Sequence, residues 1–340
     1  PKVAKGKAQA VVMNSGNANT CNGEQGLKDA EKMASESAEA LGIPVEYTLV
    51  ASTGVIGQRM PMDKIIKGIK QSADKLRPDG GLAAAEAIMT TDTVAKEYNL
   101  SYKYRGETIT VGGMAKGSGM IHPDMATMLG FITTDAAISA PLLDKALRHA
   151  ADCTFNMISI DGDTSTNDMV LALANGAAGK DEITSEDEGY HNFVKALVKV
   201  CRELAVQVAR DGEGATKLLE VRVVNAPTEK DARIAARAVA SSSLVKSAVF
   251  GKDANWGRII CAVGYSGADF DPENVDIFIG DMQVAKDGGA LDFDEEKGKK
   301  ILSDEKVVFL IDLKAGGYSA TAWGCDLTYD YVKINASYRT

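Results

Sequence analysis

Residues 116–131 read KGSGMIHPDMATMLGF. Gly117, Gly119 and Gly130 loosen this backbone, and Pro123 interrupts any regular element. At its centre, Met125-Ala126-Thr127-Met128-Leu129 places a small residue and a threonine ahead of an apolar run that ends at Phe131. Taken locally, this is a glycine-rich turn feeding a buried strand. A second reading comes from chemistry. A Thr hydroxyl is a weak nucleophile unless a base lies beside it, and one solution makes the Thr its own N-terminus, with the free α-amine as base. An α-amine titrates near about 8, so much of it accepts a proton at cellular pH. To build such a residue in mid-chain, the Ala126–Thr127 bond must break. The Thr127 hydroxyl attacks the Ala126 carbonyl, and water opens the resulting ester. A small residue before the Thr and a loosened approach suit that attack.

Working outward, Thr108 to Met114 predicts a strand entering the stretch and Leu129 to Thr133 a strand leaving it. Upstream, Ala8 to Met13 reads as a strand that runs into the polar cluster Asn14-Ser15-Gly16-Asn17-Ala18-Asn19. Leu27, Ala30, Ala34, Ala38 and Leu41 recur at helical spacing, stopped by Gly42 and Pro44. Tyr47 to Ala51 is strand-like and ends in STGVIG at 52–57, a turn able to offer an N–H and a hydroxyl to a ligand oxygen, although most small-residue turns only turn. A helix opened by Pro61 carries Ile65, Ile66 and Ile69. An alanine-rich helix over Leu82 to Met89 leads to Thr90-Thr91-Asp92-Thr93, either a helix end or a substrate contact.

Downstream, a helix is expected over Pro141 to Cys153, a strand over Met157 to Ile160, and then DGDTSTND at 161–168. Those carboxylates suggest a calcium loop, but the glycine is misplaced and the closing Glu is missing, so no metal is expected there. A strand over Met169 to Ala174 precedes a long helix from Glu188 to Ala209, with Phe193, Leu197, Cys201, Leu204 and Val208 inward. It ends in DGEGATK at 211–217. There Glu213 stands between glycines, either in a solvated turn or with its carboxylate held in a pocket. Leu218 to Val224 is a strand, Asp231 to Ala240 a helix, and DANWGR at 253–258 opens another helix. Asp276 to Gly280, Val307 to Ile311, Ser319 to Trp323 and Leu327 to Ile334 complete the chain as strands. Alternating helices and strands argue for an α/β fold in α+β layers. No linker, repeat, Walker loop or GxGxxG fingerprint is present, which disfavours nucleotide-dependent enzymes.

Composition over 340 residues is that of an ordinary globular protein. A net charge of −9 argues against nucleic-acid binding, which needs clustered cations. No apolar run of about 18 residues is present, so no membrane span is expected. The five cysteines are scattered and form no CxxC pair, as in a reducing compartment, and Cys201 and Cys261 are expected in the core. Three separated histidines make a His-rich metal site an unsuitable reading. The chain opens at Pro1 without Met, as a processed or truncated product does.

The motifs together resemble the ornithine acetyltransferases, or bifunctional glutamate N-acetyltransferases, of arginine biosynthesis. The resemblance rests on STGVIG at 52–57, MTTDT at 89–93, the 116–131 stretch, DGDTSTND at 161–168, DGEGATK at 211–217, DANWGR at 253–258 and the ending NASYRT. These span nearly the whole chain. The resemblance implies a fold similar to that of β-peptidyl N-terminal-nucleophile aminopeptidases and a self-cleaved precursor, here giving fragments 1–126 and 127–340 that fold together. It implies Thr127 as acetyl acceptor, Thr53 and Gly54 as oxyanion hole, and substrate contacts from Thr90, Lys116, Thr127, Glu213, Asn335 and Thr340. Acetyl transfer from N-acetylornithine to glutamate through acetyl-Thr127 follows, with acetyl-CoA as an additional donor in some members. No cofactor and no metal are implied. A heterotetramer of two cleaved pairs is, located in the cytoplasm, or in mitochondria for a fungal source. Lys116 suits a substrate carboxylate and Glu213 an ammonium. Two rivals remain: an aminopeptidase or amidohydrolase using the same Thr127, and an uncleaved, inactive amino-acid-binding relative. Family members usually carry a further segment before the first strand, which leaves that strand's surroundings open.

Overall fold

The computed structural model describes residues 6–122, 128–179 and 181–337. Ala10–Asn14 (β1) and Thr48–Ser52 (β2) pair in parallel around Gly23–Leu41 (α1). α1 stops where Gly42 takes the left-handed conformation, at φ 65°. Met62–Ala73 (α2) and Gly81–Ala87 (α3) follow. Lys96–Tyr104 (β3), Glu107–Lys116 (β4) and Leu129–Thr134 (β5) then follow, each antiparallel to the next. After Ala140–Cys153 (α4) and the short Ile158–Ser159 (β6), Met169–Ala174 (β7) joins β5 in parallel, giving a four-stranded sheet of order β3-β4-β5-β7.

Glu188–Arg210 (α5) is the central helix. The Asp187 carboxylate caps its start by accepting from the Tyr190 N–H at 3.2 Å. α5 packs on β3 and β4 and also on strands of the second sheet, so its buried Phe193, Leu197, Cys201, Leu204 and Val208 lie in the main core. The second sheet is built from Leu218–Ala226 (β8), Asp276–Ile279 (β9), Met282–Lys286 (β10), Gly289–Ala290 (β11), Lys306–Asp312 (β12) and Tyr318–Cys325 (β13), together with β6. Its order is β11-β10-β9-β12-β8-β13-β6. Between its strands run Glu229–Ser241 (α6), Ser243–Gly251 (α7), Trp256–Gly264 (α8) and Glu295–Ile301 (α9). α6 covers β8 and β13, and Tyr329–Ser337 (α10) ends the described chain. The expected α/β fold in layers is what forms. Among the described residues, no helix is long and apolar enough to cross a membrane.

Three local expectations are corrected. Leu327 to Ile334 was expected as a strand, yet residues 329–337 are helical. The Thr328 hydroxyl accepts from the Tyr331 N–H at 3.2 Å, and this cap starts a helical turn that outweighs the strand preference of Val332 and Ile334. Cys261 was expected in the core but is exposed, because α8 turns Ile259, Ala262 and Val263 inward instead. β3 was not foreseen. Its residues alternate between buried or half-buried and exposed from Lys96 to Tyr104, but its inward positions begin with a lysine, which hides the period-two pattern.

Candidate active site

The ends of these elements converge on a polar cavity of about 290 Å³. Thr53 and Gly54 reach it from the turn after β2, Thr90 and Thr91 from the end of α3, and Lys116 from the end of β4. Glu213 comes from the turn after α5, and Asn335 from α10. Of the site residues expected from the sequence, Thr53, Gly54, Thr90, Lys116, Glu213 and Asn335 therefore line one pocket. Ala126, Thr127 and Thr340 lie outside the described residues. A larger cavity, about 740 Å³, opens between β1, α1, α2 and α3. Its walls are mainly aliphatic, Met33, Ile65, Ile69 and Ile88 among them, and it contains nothing from 116–131, 161–168 or 211–217. Volume favours that cavity; the convergence of charged and hydroxyl groups favours the smaller one.

The turn at 52–57 is pinned against the polar cluster after β1. The Thr53 N–H donates to the Asn14 carbonyl at 3.1 Å, the Val55 N–H to Gly16 at 3.2 Å, and the Asn19 N–H to the Ser52 hydroxyl at 2.8 Å. Asn167 holds the turn from the other side, its amide donating to the Ser52 carbonyl at 2.5 Å. Gly54 has φ 122°, open to glycine and strained for other residues. Its N–H forms no hydrogen bond among the described residues, while both neighbouring N–H groups are engaged. A fixed, unspent N–H at the rim of a pocket can receive a developing oxyanion.

Lys116 stands over a buried charge network. Its ammonium donates to the Thr90 hydroxyl at 2.9 Å and lies 3.7 Å from Asp92. Asp92 accepts from the Gly117 N–H at 2.7 Å, the Thr90 N–H at 3.1 Å and the Lys96 ammonium at 2.7 Å. Lys96 is fully buried and also donates to Asp211 at 2.5 Å. Burial alone would raise the Asp92 carboxyl, but Lys116, Lys96 and the Gly117 N–H together hold it below the usual carboxylate range. Burial pushes Lys116 down, the Lys96 charge adds to this, and Asp92 opposes it. Because Lys96 and the Gly117 N–H engage Asp92 Oδ1 and the Thr90 N–H engages its Oδ2, the Lys116 ammonium is left with a hydroxyl and a distant carboxylate. It can therefore take a further anionic oxygen. Thr90 is thus a pocket residue and not merely a helix end.

The Glu213 carboxylate is held in the pocket. Its backbone N–H donates to the Ser118 carbonyl at 2.7 Å, and the Asn335 amide donates to its Oε2 at 2.7 Å. It is 6% exposed, which decides against a solvated turn. Gly119 makes the room: a Cβ there would fall 2.5 Å from the Glu213 carboxyl. In the 161–168 loop, Asp161 accepts from the Met120 N–H at 2.6 Å and the Ile121 N–H at 2.9 Å, fixing residues 120–121. Tyr331 donates to the same carboxylate at 3.3 Å; burial and then Asp161 push its phenol up. Asp92, Lys96, Asp211 and Asp161 were not singled out from the sequence. Asp92, Asp161 and Asp211 each stand inside a quoted motif, MTTDT, DGDTSTND and DGEGATK, while Lys96 lies in none.

A small polar pocket that gathers a cation, a carboxylate and a backbone N–H left unbonded among the described residues, within an α/β fold, has the chemistry that suits a small zwitterionic substrate. A family model described as the ArgJ family matches residues 1–340. The chain is 60% identical over 335 residues to the arginine biosynthesis bifunctional protein ArgJ of Symbiobacterium thermophilum, covering 98% of this chain and 83% of that one. It is 53% identical over 343 residues to the protein of the same name from Caldanaerobacter subterraneus subsp. tengcongensis, covering 100% and 85%. A crystal structure of the arginine biosynthesis bifunctional protein argJ from Bacillus halodurans superposes with a TM-score of 0.61 at 49% identity, over 62% of this chain and 100% of that chain. The chain belongs to the ArgJ family, and with it to the acetyltransferases of arginine biosynthesis. The resemblance drawn from the separated motifs is borne out.

Proposed function

We propose that this enzyme moves the acetyl group of N-acetylornithine to glutamate through an acetyl-Thr127 intermediate, after cutting itself at Ala126–Thr127 into fragments 1–126 and 127–340. The observation that supports this most directly is the gathering of the Gly54 N–H, unbonded among the described residues, the Lys116 ammonium and the Glu213 carboxylate in one cavity of about 290 Å³. Thr127 attacks the acetyl carbonyl while its own amine takes the hydroxyl proton. The oxyanion is received by the Gly54 N–H and the Thr53 hydroxyl, a kind of donor worth roughly 3 kcal/mol in comparable sites. Lys116, steadied by Thr90, binds the substrate carboxylate. Glu213, oriented by Asn335, binds its ammonium, and Thr340 closes the pocket. Ornithine leaves before glutamate enters, so the kinetics are ping-pong. The same pocket serves both amino acids, and acetyl-CoA is an additional donor. The cleaved pairs associate as a heterotetramer in the cytoplasm.

Intact-mass measurement under denaturing conditions tests this, beside a Thr127→Ala control. Two fragments meeting at 126–127 in the wild type, with one uncut chain and no transfer in the control, are expected. A single chain in the wild type removes the proposed base and brings forward the reading as an inactive amino-acid-binding relative. Turnover of short peptides without glutamate-dependent exchange would favour the aminopeptidase instead. Glu213→Gln keeps the shape but removes the charge. Steady-state kinetics should then show a KM for N-acetylornithine raised by about 10- to 100-fold, the span expected when a hydrogen bond to a charged group is weakened.

A further inference from the structure

Asp168 has no part in the mechanism above. It closes the 161–168 loop one residue before β7. The parallel register of β5 and β7, which opposes Leu129 to Met169, brings it beside Met128 at the start of β5. The Met128 N–H donates to its carboxylate, and the Met169 N–H donates to the Met128 carbonyl at 2.8 Å. Its other oxygen, Oδ2, is buried and has no hydrogen-bond partner among the described residues. Asp168 lines the pocket that holds Thr53, Gly54, Thr90 and Lys116. It also lines an adjoining cavity of about 260 Å³ against α4.

A carboxylate oxygen that is buried and receives no donor favours the protonated form. Burial pushes Asp168 up to about 8, against the pull of Lys116 and the Met128 N–H. The charged groups around it are few. Lys116, whose charge acts on it, and Glu213 line the same pocket. On its own loop, Asp161 is engaged by backbone N–H groups and Asp163 is exposed. In the adjoining cavity, Arg148 is paired with Asp144 at 2.8 Å. Amine exchange needs a group of this kind. Ornithine leaves and glutamate arrives as ammonium ions, so each half-reaction moves one proton more than the Thr127 hydroxyl can supply or accept.

We propose that Asp168 lends that proton to the departing amine and recovers it from the incoming one. This rests on the acetyl-transfer reading above. In the first half, the acetyl C–N bond breaks as the bond to the Thr127 oxygen forms, and the C–N electron pair stays on nitrogen. That nitrogen takes the Thr127 hydroxyl proton through the α-amine and a second proton from Asp168, and leaves as an ammonium. In the second half, the glutamate ammonium gives one proton to the Asp168 carboxylate. Its nitrogen attacks the ester and passes another proton, through the α-amine, to the Thr127 oxygen. Each turnover returns Asp168 to its acid form without drawing a proton from solvent.

Two acetyl donors test the assignment, since p-nitrophenyl acetate expels a phenolate that needs no proton and N-acetylornithine expels an amine that does. Pre-steady-state acetylation, followed by mass, should show Asp168→Asn reacting with p-nitrophenyl acetate within about twofold of wild type. With N-acetylornithine it should be slower by about 100-fold, the lower end of general acid catalysis. The wild type should lose its N-acetylornithine rate as pH rises through about 8, where Asp168 gives up its proton, and should show no such fall with the ester. If Asp168→Asn stays uncut, that wild-type comparison carries the test alone. Equal slowing with both donors, no slowing with either, or parallel pH profiles would overturn the proposal and leave the acetyl-enzyme standing. A wild type that either donor fails to acetylate would overturn the acetyl-enzyme itself.

Discussion

Lys96→Met should lower the stability of the folded chain by about 3–5 kcal/mol, the range for removing one partner of a buried ion pair. Methionine fills the volume, so packing is not the cause. Lys96 is 0% exposed and bridges Asp92 at 2.7 Å and Asp211 at 2.5 Å. Without it, among the described residues Asp211 keeps only the Thr93 N–H and hydroxyl, and Asp92 keeps the Gly117 and Thr90 N–H groups but no cation nearer than the Lys116 ammonium 3.7 Å away. Two carboxylates would then be desolvated with too little compensation. The measurement is the midpoint of urea unfolding, which should fall with an unchanged slope. Removing Lys145 from its exposed pair with Glu186 provides the contrast, for which no measurable change is expected. A Lys96→Met protein as stable as wild type would mean that these charges are solvated. Activity should fall as well, because the freed Asp92 would draw Lys116 inward, away from the pocket.

Gly54→Ala should reduce the acetylation rate by about 10²–10³-fold, the effect of losing one oxyanion donor. A Cβ at this position would lie 2.3 Å from the Gly16 carbonyl carbon, 2.6 Å from its oxygen and 2.7 Å from the Asn17 nitrogen. All three are backbone atoms, so no side chain can rotate to make room. The φ of 122° adds strain for alanine. The turn must shift away from the 14–19 cluster, and the Gly54 N–H shifts with it. Single-turnover acetylation by p-nitrophenyl acetate isolates this step. Gly57→Ala, in the same turn at φ 69° but with open space at its Cβ position, separates strain from displacement. It should retain activity within a few fold. Equal losses in the two variants would take the oxyanion role away from Gly54.

Much of this was legible in the sequence because it is local. Gly42 stops α1 where its freedom at positive φ predicts, and the 3.6-residue spacing of Phe193, Leu197, Cys201, Leu204 and Val208 marks the face that α5 buries. The pocket residues were legible for another reason: each lies in a short motif whose residue types are odd for a plain turn, as Glu213 between two glycines is. The charge network was not. Asp92 and Asp211 are 119 positions apart in the chain and meet through Lys96, which lies on the unforeseen strand β3 against α5. Asp168 was seen only as part of an imperfect calcium loop. Its significance comes from the β5–β7 register, which no local pattern carries. The end of the chain was misread because one hydroxyl, on Thr328, decides between helix and strand where side-chain preference alone points the other way.

The antiparallel seam between β4 and β5 has a further consequence. Its pairing runs from Val111↔Thr134 to Lys116↔Leu129 and joins strands on either side of position 126. α5, from beyond that position, lies on β3 and β4 from before it. The two halves are thus interleaved partners that share one sheet and one core. Peptide continuity at 126–127 adds little to their cohesion, which main-chain hydrogen bonds and buried aliphatic area already supply. Cut there as proposed, the molecule would be a split protein whose pieces are made at equal dose. On that reading, linkage at that point would serve assembly rather than endurance, keeping the pieces at high effective concentration until the seam has closed.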